Sequence, residues 1–169
     1  MKKFLAMMLA LVMALSLVAC GEQGDSQKGD DSASGDKVVK IGVFEPASGD
    51  SGAGGKKEML GMQYANQETP TVEIGGETYK VELVYSDNGS DSAKAVSAAS
   101  KLVNEKVSLV LGSYGSGVSI AASDTFKQAG IPAIGVTCTN PNVTAGNSHY
   151  FRICFLDPFQ GTVLANYAY

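Results

Sequence analysis

From Lys37 onward, short β-branched runs alternate with stretches whose apolar residues recur at helical spacing, and this alternation restricts the fold more than any other feature. "VVKIGVF" (38–44) predicts a strand, the glycine-rich "PASGDSGAGG" a loop, and residues 56–67 a helix. "TVEIGGETYKVELVYSD" holds two alternating runs around Gly75-Gly76, the pattern of a hairpin. Asp91 and Ser92 can cap a helix whose apolar positions are Ala95, Val96, Ala99, Leu102 and Val103. "SLVLG" (108–112) predicts a buried strand, 117–130 a helix closed by Gly130, and "IPAIGV" (131–136) another strand. "YFRICF" (150–155) continues the series, and a last helix starts with Asp157 as N-cap and Pro158 at its first position. Strands bounded by helices of this length make βαβ units, which wind right-handed into a doubly wound, mostly parallel α/β sheet covered on both faces.

The N-terminal residues stand apart from that pattern. "MKKFLAMMLALVMALSLVAC" has a basic start, an apolar run and small residues before Cys20, the layout of an export leader over 1–20. Leu17 to Cys20 also resembles a bacterial lipobox, in which Cys20 becomes the lipidated N-terminus and holds the protein on a membrane without spanning it. An ordinary signal peptide or an N-terminal membrane helix is the alternative. Residues 21–36, glycine, serine and acidic residues without a large apolar side chain, read as a flexible tether reaching roughly 20–25 Å. Removing Lys2 and Lys3 from the 13 basic residues leaves 11 against 17 acidic ones, a formal charge of −6. That balance argues against nucleic acid as a partner. Residues 37–169 suffice for one compact core. With Cys20 assigned to lipid, Cys138 and Cys154 are treated as buried small residues, although an oxidising compartment would let them pair.

Ligands of such sheets bind at the carboxyl ends of the strands, and three informative loops fall there. In "LVLGSYGSGVSIAASD" (109–124), glycines at 112, 115 and 117 let backbone approach a ligand, and Ser113, Ser116 and Ser119 add hydroxyls where a helix begins, a place that attracts an anion. A P-loop would need a lysine followed by Ser or Thr, and the glycine order does not match a dinucleotide fingerprint. A nucleophilic serine would want G-x-S-x-G and a histidine base, whereas Ser116 sits in "YGSGV" and the one histidine is His149, read as a surface loop residue. A tight turn with glycines for sterics is the plain alternative. Thr137 and Thr139 lie on the loop after "IPAIGV", where hydroxyl and amide suit a carboxylate and a carbonyl suits an ammonium. Asp157 offers a carboxylate to an ammonium group or simply caps its helix. One histidine and scattered carboxylates assemble no metal site, and no cofactor is expected.

Anion-binding hydroxyls beside a cation-binding carboxylate suit a zwitterion. The chain resembles the type I periplasmic solute-binding proteins of branched-chain amino acid transporters (leucine/isoleucine/valine-binding-protein-like). The likeness runs through "VKIGVFEPASG", "GMQYANQE", "VELVYSDNGSDSAKAVSAASKLV", "VSLVLGSYGSG", "AGIPAIGVTCTNPNVT" and "FRICFLDPFQGTVLANYAY", nearly all of 38–169. The resemblance implies two α/β lobes closing on an amino acid or similar small solute, of which 37–169 would be the first lobe, incomplete. It implies Ser116 with the amide and hydroxyl of Thr139 for the solute carboxylate, and the carbonyl of Thr137 with side-chain oxygens of Asp157 or Thr139 for its ammonium. Tyr114 and Gly115 join them from the same glycine loop. Many members carry an aromatic one residue before the glycine that ends the first loop, where this chain has Gly54 before Gly55; the disulfide some members make near the serine loop has no counterpart at Gly115. The chain stops at Tyr169 inside a predicted helix, so the resemblance implies the N-terminal part of a longer protein, and a single lobe would offer half a cleft and exposed apolar surface. The implied function is non-enzymatic: an exported, lipid-anchored receptor that delivers solute to the membrane subunits of an ABC permease. A membrane-tethered sensor using the same lobe is the alternative, and an α/β hydrolase-like enzyme the third reading.

Overall fold

The computed structural model describes residues 37–169. Six strands form one sheet in the order β2-β3-β1-β4-β5-β6: β1 Val38–Phe44, β2 Thr71–Ile74, β3 Glu77–Tyr85, β4 Leu109–Gly112, β5 Ala133–Gly135 and β6 Tyr150–Arg152. All neighbours are parallel except β2 and β3. The helices are α1 Gly52–Glu68, α2 Ser92–Asn104, α3 Ser116–Gln128 and α4 Asp157–Ala168, with a 3₁₀ turn at Pro141–Val143. The predicted mostly parallel α/β sheet is therefore the one observed.

Local chemistry accounts for most boundaries. The hairpin turn places Gly75 and Gly76 at φ of 62° and 82°, the pair of positive values that a two-residue connection matching strand twist requires. Asp91 caps α2 by accepting from the Ala93 amide at 2.8 Å, worth about 1 kcal/mol. Gly130, just past the end of α3, has φ 69° and lets the chain turn into β5.

Several boundaries differ from expectation: the strand expected over 131–136 is confined to Ala133–Gly135, and that expected over 150–155 to Tyr150–Arg152. The first helix begins at Gly52, not near Lys56, so the last four residues of the supposed glycine loop are helical. A Cβ at Gly55 would collide with the carbonyl and ring of Pro46, so glycine here admits close packing of the first turn of α1 on the chain leaving β1, which outweighs its poor helix propensity. The last helix has Leu156 as N-cap, with Asp157 its first residue and Pro158 its second. Asp157 is therefore not the N-cap, and its carboxylate is spared a capping role.

One face of the sheet is closed by α2 and α3. Phe44, Leu102, Val110, Ala122, Phe126 and Ala133 are buried there, and the rings of Phe44 and Phe126 meet edge to face with centroids 5.4 Å apart. In α2 the inward stripe is Ala95, Ala98, Ala99 and Leu102, whereas Val96, expected inside, is 50% exposed. The other face is not fully covered, contrary to expectation. Among the described residues only α1 lies over it, through Met62 and Ala65, and a hollow of about 390 Å³ remains above Val39, Ile41, Val81, Leu83, Leu109 and Leu111.

Strand register brings the loops that follow the parallel strands level. Phe44 pairs with Gly112, Val43 with Tyr85, Leu111 with Ile134, and Gly135 with Arg152. The chain thus leaves β1, β3, β4, β5 and β6 along a single edge, at Glu45, Ser86, Ser113, Val136 and Ile153.

Candidate functional site

Along that edge the loops after β4, β5 and β6 touch through hydrogen bonds. Ser116 is the first residue of α3, with Gly115 as N-cap. Its hydroxyl oxygen accepts from the Asn140 amide at 3.3 Å, which leaves the hydroxyl proton free to donate outward. The first-turn amides of α3 have no intrahelical acceptor, and together with the helix dipole they favour an anion beside Ser116. Beneath them, the Ser113 amide donates to Ser119 Oγ at 3.3 Å, and that hydroxyl donates to the Gly115 carbonyl at 3.2 Å. Asn88, fully buried, donates to Ser113 Oγ at 3.0 Å and to the Phe44 carbonyl at 3.1 Å. The loop is thus held from below while its rim stays open.

The loop after β5 is fixed on both sides. Thr137 Oγ1 lies within donating distance of the Tyr114 carbonyl, 3.1 Å, and of Glu58 Oε1, 2.6 Å. The Asp157 amide donates to the Thr139 carbonyl at 3.1 Å, which ties the start of α4 to the same turn. Arg152, at the end of β6, donates to the carbonyls of Cys138, Asn140 and Pro141 and to Thr144 Oγ1, at 2.8 to 3.1 Å. One guanidinium therefore sets the path of residues 138–144. The structure brings Tyr114, Gly115, Ser116, Thr137, Thr139 and Asp157 to one place, on loops joined by the Thr137–Tyr114, Asn140–Ser116 and Asp157–Thr139 hydrogen bonds. Such a set can hold a small molecule bearing both charges.

His149 is not part of it. It precedes β6, at the opposite edge of the sheet, with Nδ1 3.1 Å from Ser148 Oγ. Cys138 is fully buried, burial pushes its thiol up, and Cys154 is half-buried; both are free. Among the described residues no group of metal-ligating side chains is found, and no helix is long and apolar enough to cross a membrane.

Sequence reasoning missed three residues. Arg152 lay inside a strand pattern, and only the fold shows that its head reaches back over the preceding loop. Glu45 is 1% exposed, and its Oε2 accepts from the Tyr114 amide at 2.7 Å. Its Oε1, like Glu58 Oε2, is buried without a protein donor. Burial first, and then the adjoining Glu58 carboxyl, push Glu45 up to about 10, so it is protonated at neutral pH and can itself donate to Glu58. A charged residue directly after an apolar strand was a visible signal for Glu45; nothing in the sequence pairs it with Glu58.

Gly54 also has a structural reason. A Cβ there would lie 2.5 Å from the Tyr114 ring, so the ring occupies space that a side chain at 54 would need. Tyr114, 39% exposed, is the aromatic surface at this rim.

A family model described as periplasmic binding protein matches residues 38–169. A Leu/Ile/Val-binding protein homolog 2 of Brucella abortus is 33% identical over 130 residues, covering 76% of this chain and 35% of that protein. An amino acid binding protein of Pseudomonas aeruginosa is 36% identical over 132 residues, with the same coverage of 76% and 35%. Among solved structures, a leucine binding protein from Thermotoga maritima superposes with a TM-score of 0.72 at 38% identity, covering 78% of this chain and 37% of that one. The substrate-binding protein of a branched-chain amino acid transporter from Streptococcus pneumoniae, in complex with isoleucine, gives 0.70 at 35% identity, covering 78% and 38%. The chain thus spans about a third of the length of the relatives it matches.

Proposed function

The chain belongs to the periplasmic-binding-protein family, and we propose that it forms the first lobe of an extracytoplasmic receptor that captures an amino acid, of the branched-chain type or a similar small polar solute, and passes it to an ABC permease. The observation that carries this reading is the convergence of Ser116, Thr137, Thr139 and Asp157 at one end of the parallel sheet. Relatives named for leucine, isoleucine and valine support the solute class. In this reading Ser116, Thr139 and the first-turn amides of α3 receive the carboxylate, and the Thr137 carbonyl with Asp157 receives the ammonium. Tyr114 offers a ring face to the solute side chain. Binding and release then follow from closure of a second lobe over this rim, with no bond made or broken in the solute.

Isothermal calorimetry on the full-length protein tests this directly. L-leucine, L-isoleucine and L-valine are expected to bind at least about tenfold more tightly than benzoate or urea, since only the amino acids engage both halves of the site. Equal affinity across that set, or binding of none, would sink the amino-acid reading.

The leader, the lipobox and the tether lie outside the described residues, and their roles are part of the same proposal. Diacylated Cys20 would hold the receptor beside its permease. Cys20→Ser is expected to move the protein from the membrane fraction to the soluble exported fraction; unchanged membrane association on fractionation would count against the anchor.

A further inference from the structure

Behind the binding rim lies a pair of acidic side chains that solute capture, as described above, does not use. Glu45 follows β1 and Glu58 lies on α1, and each has one carboxyl oxygen buried without a protein donor. Their remaining oxygens face the two binding loops: Glu45 Oε2 takes the Tyr114 amide at 2.7 Å, and Glu58 Oε1 takes the Thr137 hydroxyl at 2.6 Å. Two bare carboxylates cannot be buried side by side without compensation, whereas one proton between them supplies the donor that both orphan oxygens lack. Among the described residues neither acid has a lysine or arginine partner. We propose that Glu45 and Glu58 share one proton and act as positioning residues, locking the loop after β4 to the loop after β5 and thereby setting the affinity of the cleft.

Other groups facing the pair fit this arrangement. From β6, the Tyr150 phenol donates to the Gly112 carbonyl at 2.7 Å, and burial keeps it protonated well above the usual tyrosine range. Lys56 and Lys57 neighbour Glu58 on α1 and are exposed. A Cβ at Gly112 would come 2.7 Å from Glu45 Oε1, so glycine leaves that oxygen its space. Neutral Glu45 thus does for the Tyr114 amide and for Glu58 what a glutamine amide would also do.

The affinity part of this inference rests on the solute-binding reading, whereas the shared proton can be measured without any solute. In the unliganded full-length protein, the folded state holds the Glu45 proton more tightly than the unfolded chain. Stability from this group is therefore complete below about pH 4.5, the ordinary value, and falls as pH rises towards about 10. The unfolding midpoint of the wild type should drop more steeply between about pH 5 and about pH 9 than that of Glu45→Gln, and in Glu58→Gln, where burial alone still raises Glu45, the drop should end at lower pH than in the wild type. Parallel curves for all three would overturn the shared proton.

At neutral pH, Glu45→Ala should weaken L-leucine binding by about tenfold or more, and Glu45→Gln should recover most of that loss. Full affinity in the alanine variant, or no recovery with glutamine, would overturn the positioning role. If the wild type binds no amino acid, the proposed function fails by itself and hydrogen exchange at the Tyr114 amide decides positioning. Exchange about tenfold faster in Glu45→Ala than in Glu45→Gln supports it, and equal rates overturn it. Should the Glu45 alanine variant not fold, Glu58→Ala compared with Glu58→Gln decides positioning: L-leucine binding or Tyr114 amide protection lost in the first and mostly kept in the second supports it, and equal behaviour overturns it.

Discussion

Replacing Ser116 by Ala and Thr139 by Val together is expected to weaken amino-acid binding in the full-length protein by about 100-fold or more, with the fold intact. Each hydroxyl is assigned to a carboxylate, and a hydrogen bond to a charged partner contributes roughly 1.5–3 kcal/mol, so two lost together exceed about 2.7 kcal/mol. Ser116 is suited to this because its oxygen is already occupied by the Asn140 amide, which directs the hydroxyl proton outward. Neither substitution creates a large cavity: Ser116 and Thr139 are both only partly buried, and Val matches the shape of Thr. Calorimetry with L-leucine reads the loss, and an unchanged circular dichroism spectrum shows that it is not unfolding. Affinity within about threefold of wild type would remove Ser116 and Thr139 from the proposed carboxylate site.

Phe126→Ala carries the largest expected effect on stability. The ring is fully buried between α2, α3 and the sheet and stands edge to face with Phe44. Removing it forfeits burial and the aromatic contact and leaves a void that the packed helix faces cannot close, a loss of about 3–5 kcal/mol. Against a total of roughly 5–15 kcal/mol this approaches collapse of the fold. Val96→Ala makes the control, since that side chain on the same helical layer is half exposed and its truncation should stay within about 0.5 kcal/mol. Urea titration of both variants checks the contrast, and a Phe126→Ala midpoint close to that of Val96→Ala would mean that the core is not organised around this ring pair.

The order of strands and helices was legible from periodicity and turn residues because each signal is local. Gly75-Gly76, Asp91 and Gly130 all act within a few residues, and all three sit where the pattern put them. The start of α1 was not legible. Gly52, Gly54 and Gly55 look like a loop until Pro46 and Tyr114 are known to lie against them, and that proximity is a property of the assembled sheet. Val96 was misplaced for a similar reason. Ala98, two residues on, takes the buried position, so the smaller residue faces inward and the more hydrophobic one faces water. At the site, Ser116, Thr137, Thr139 and Asp157 drew notice because their chemistry sits on strand-ending loops, and those loops adjoin in the fold. Glu45, Glu58 and Arg152 escaped notice because their partners lie on other elements, and no sequence period joins an acid after one strand to an acid on the next helix.

The strand order has a bearing on how the chain acquires its shape. β1 occupies an interior position, the β2-β3 hairpin takes one flank of it, and β4, β5 and β6 extend the other flank in the order in which they are encoded. A chain emerging from its N-terminus can therefore lay each parallel strand onto an edge already in place and need not reopen an earlier pairing to admit a later one. Growth of this kind keeps loop-closure costs small at every addition and, on the flank that is growing, leaves one strand edge at a time to be paired. The loops after β4, β5 and β6 then form later than the β1–β3 part of the sheet on which they rest.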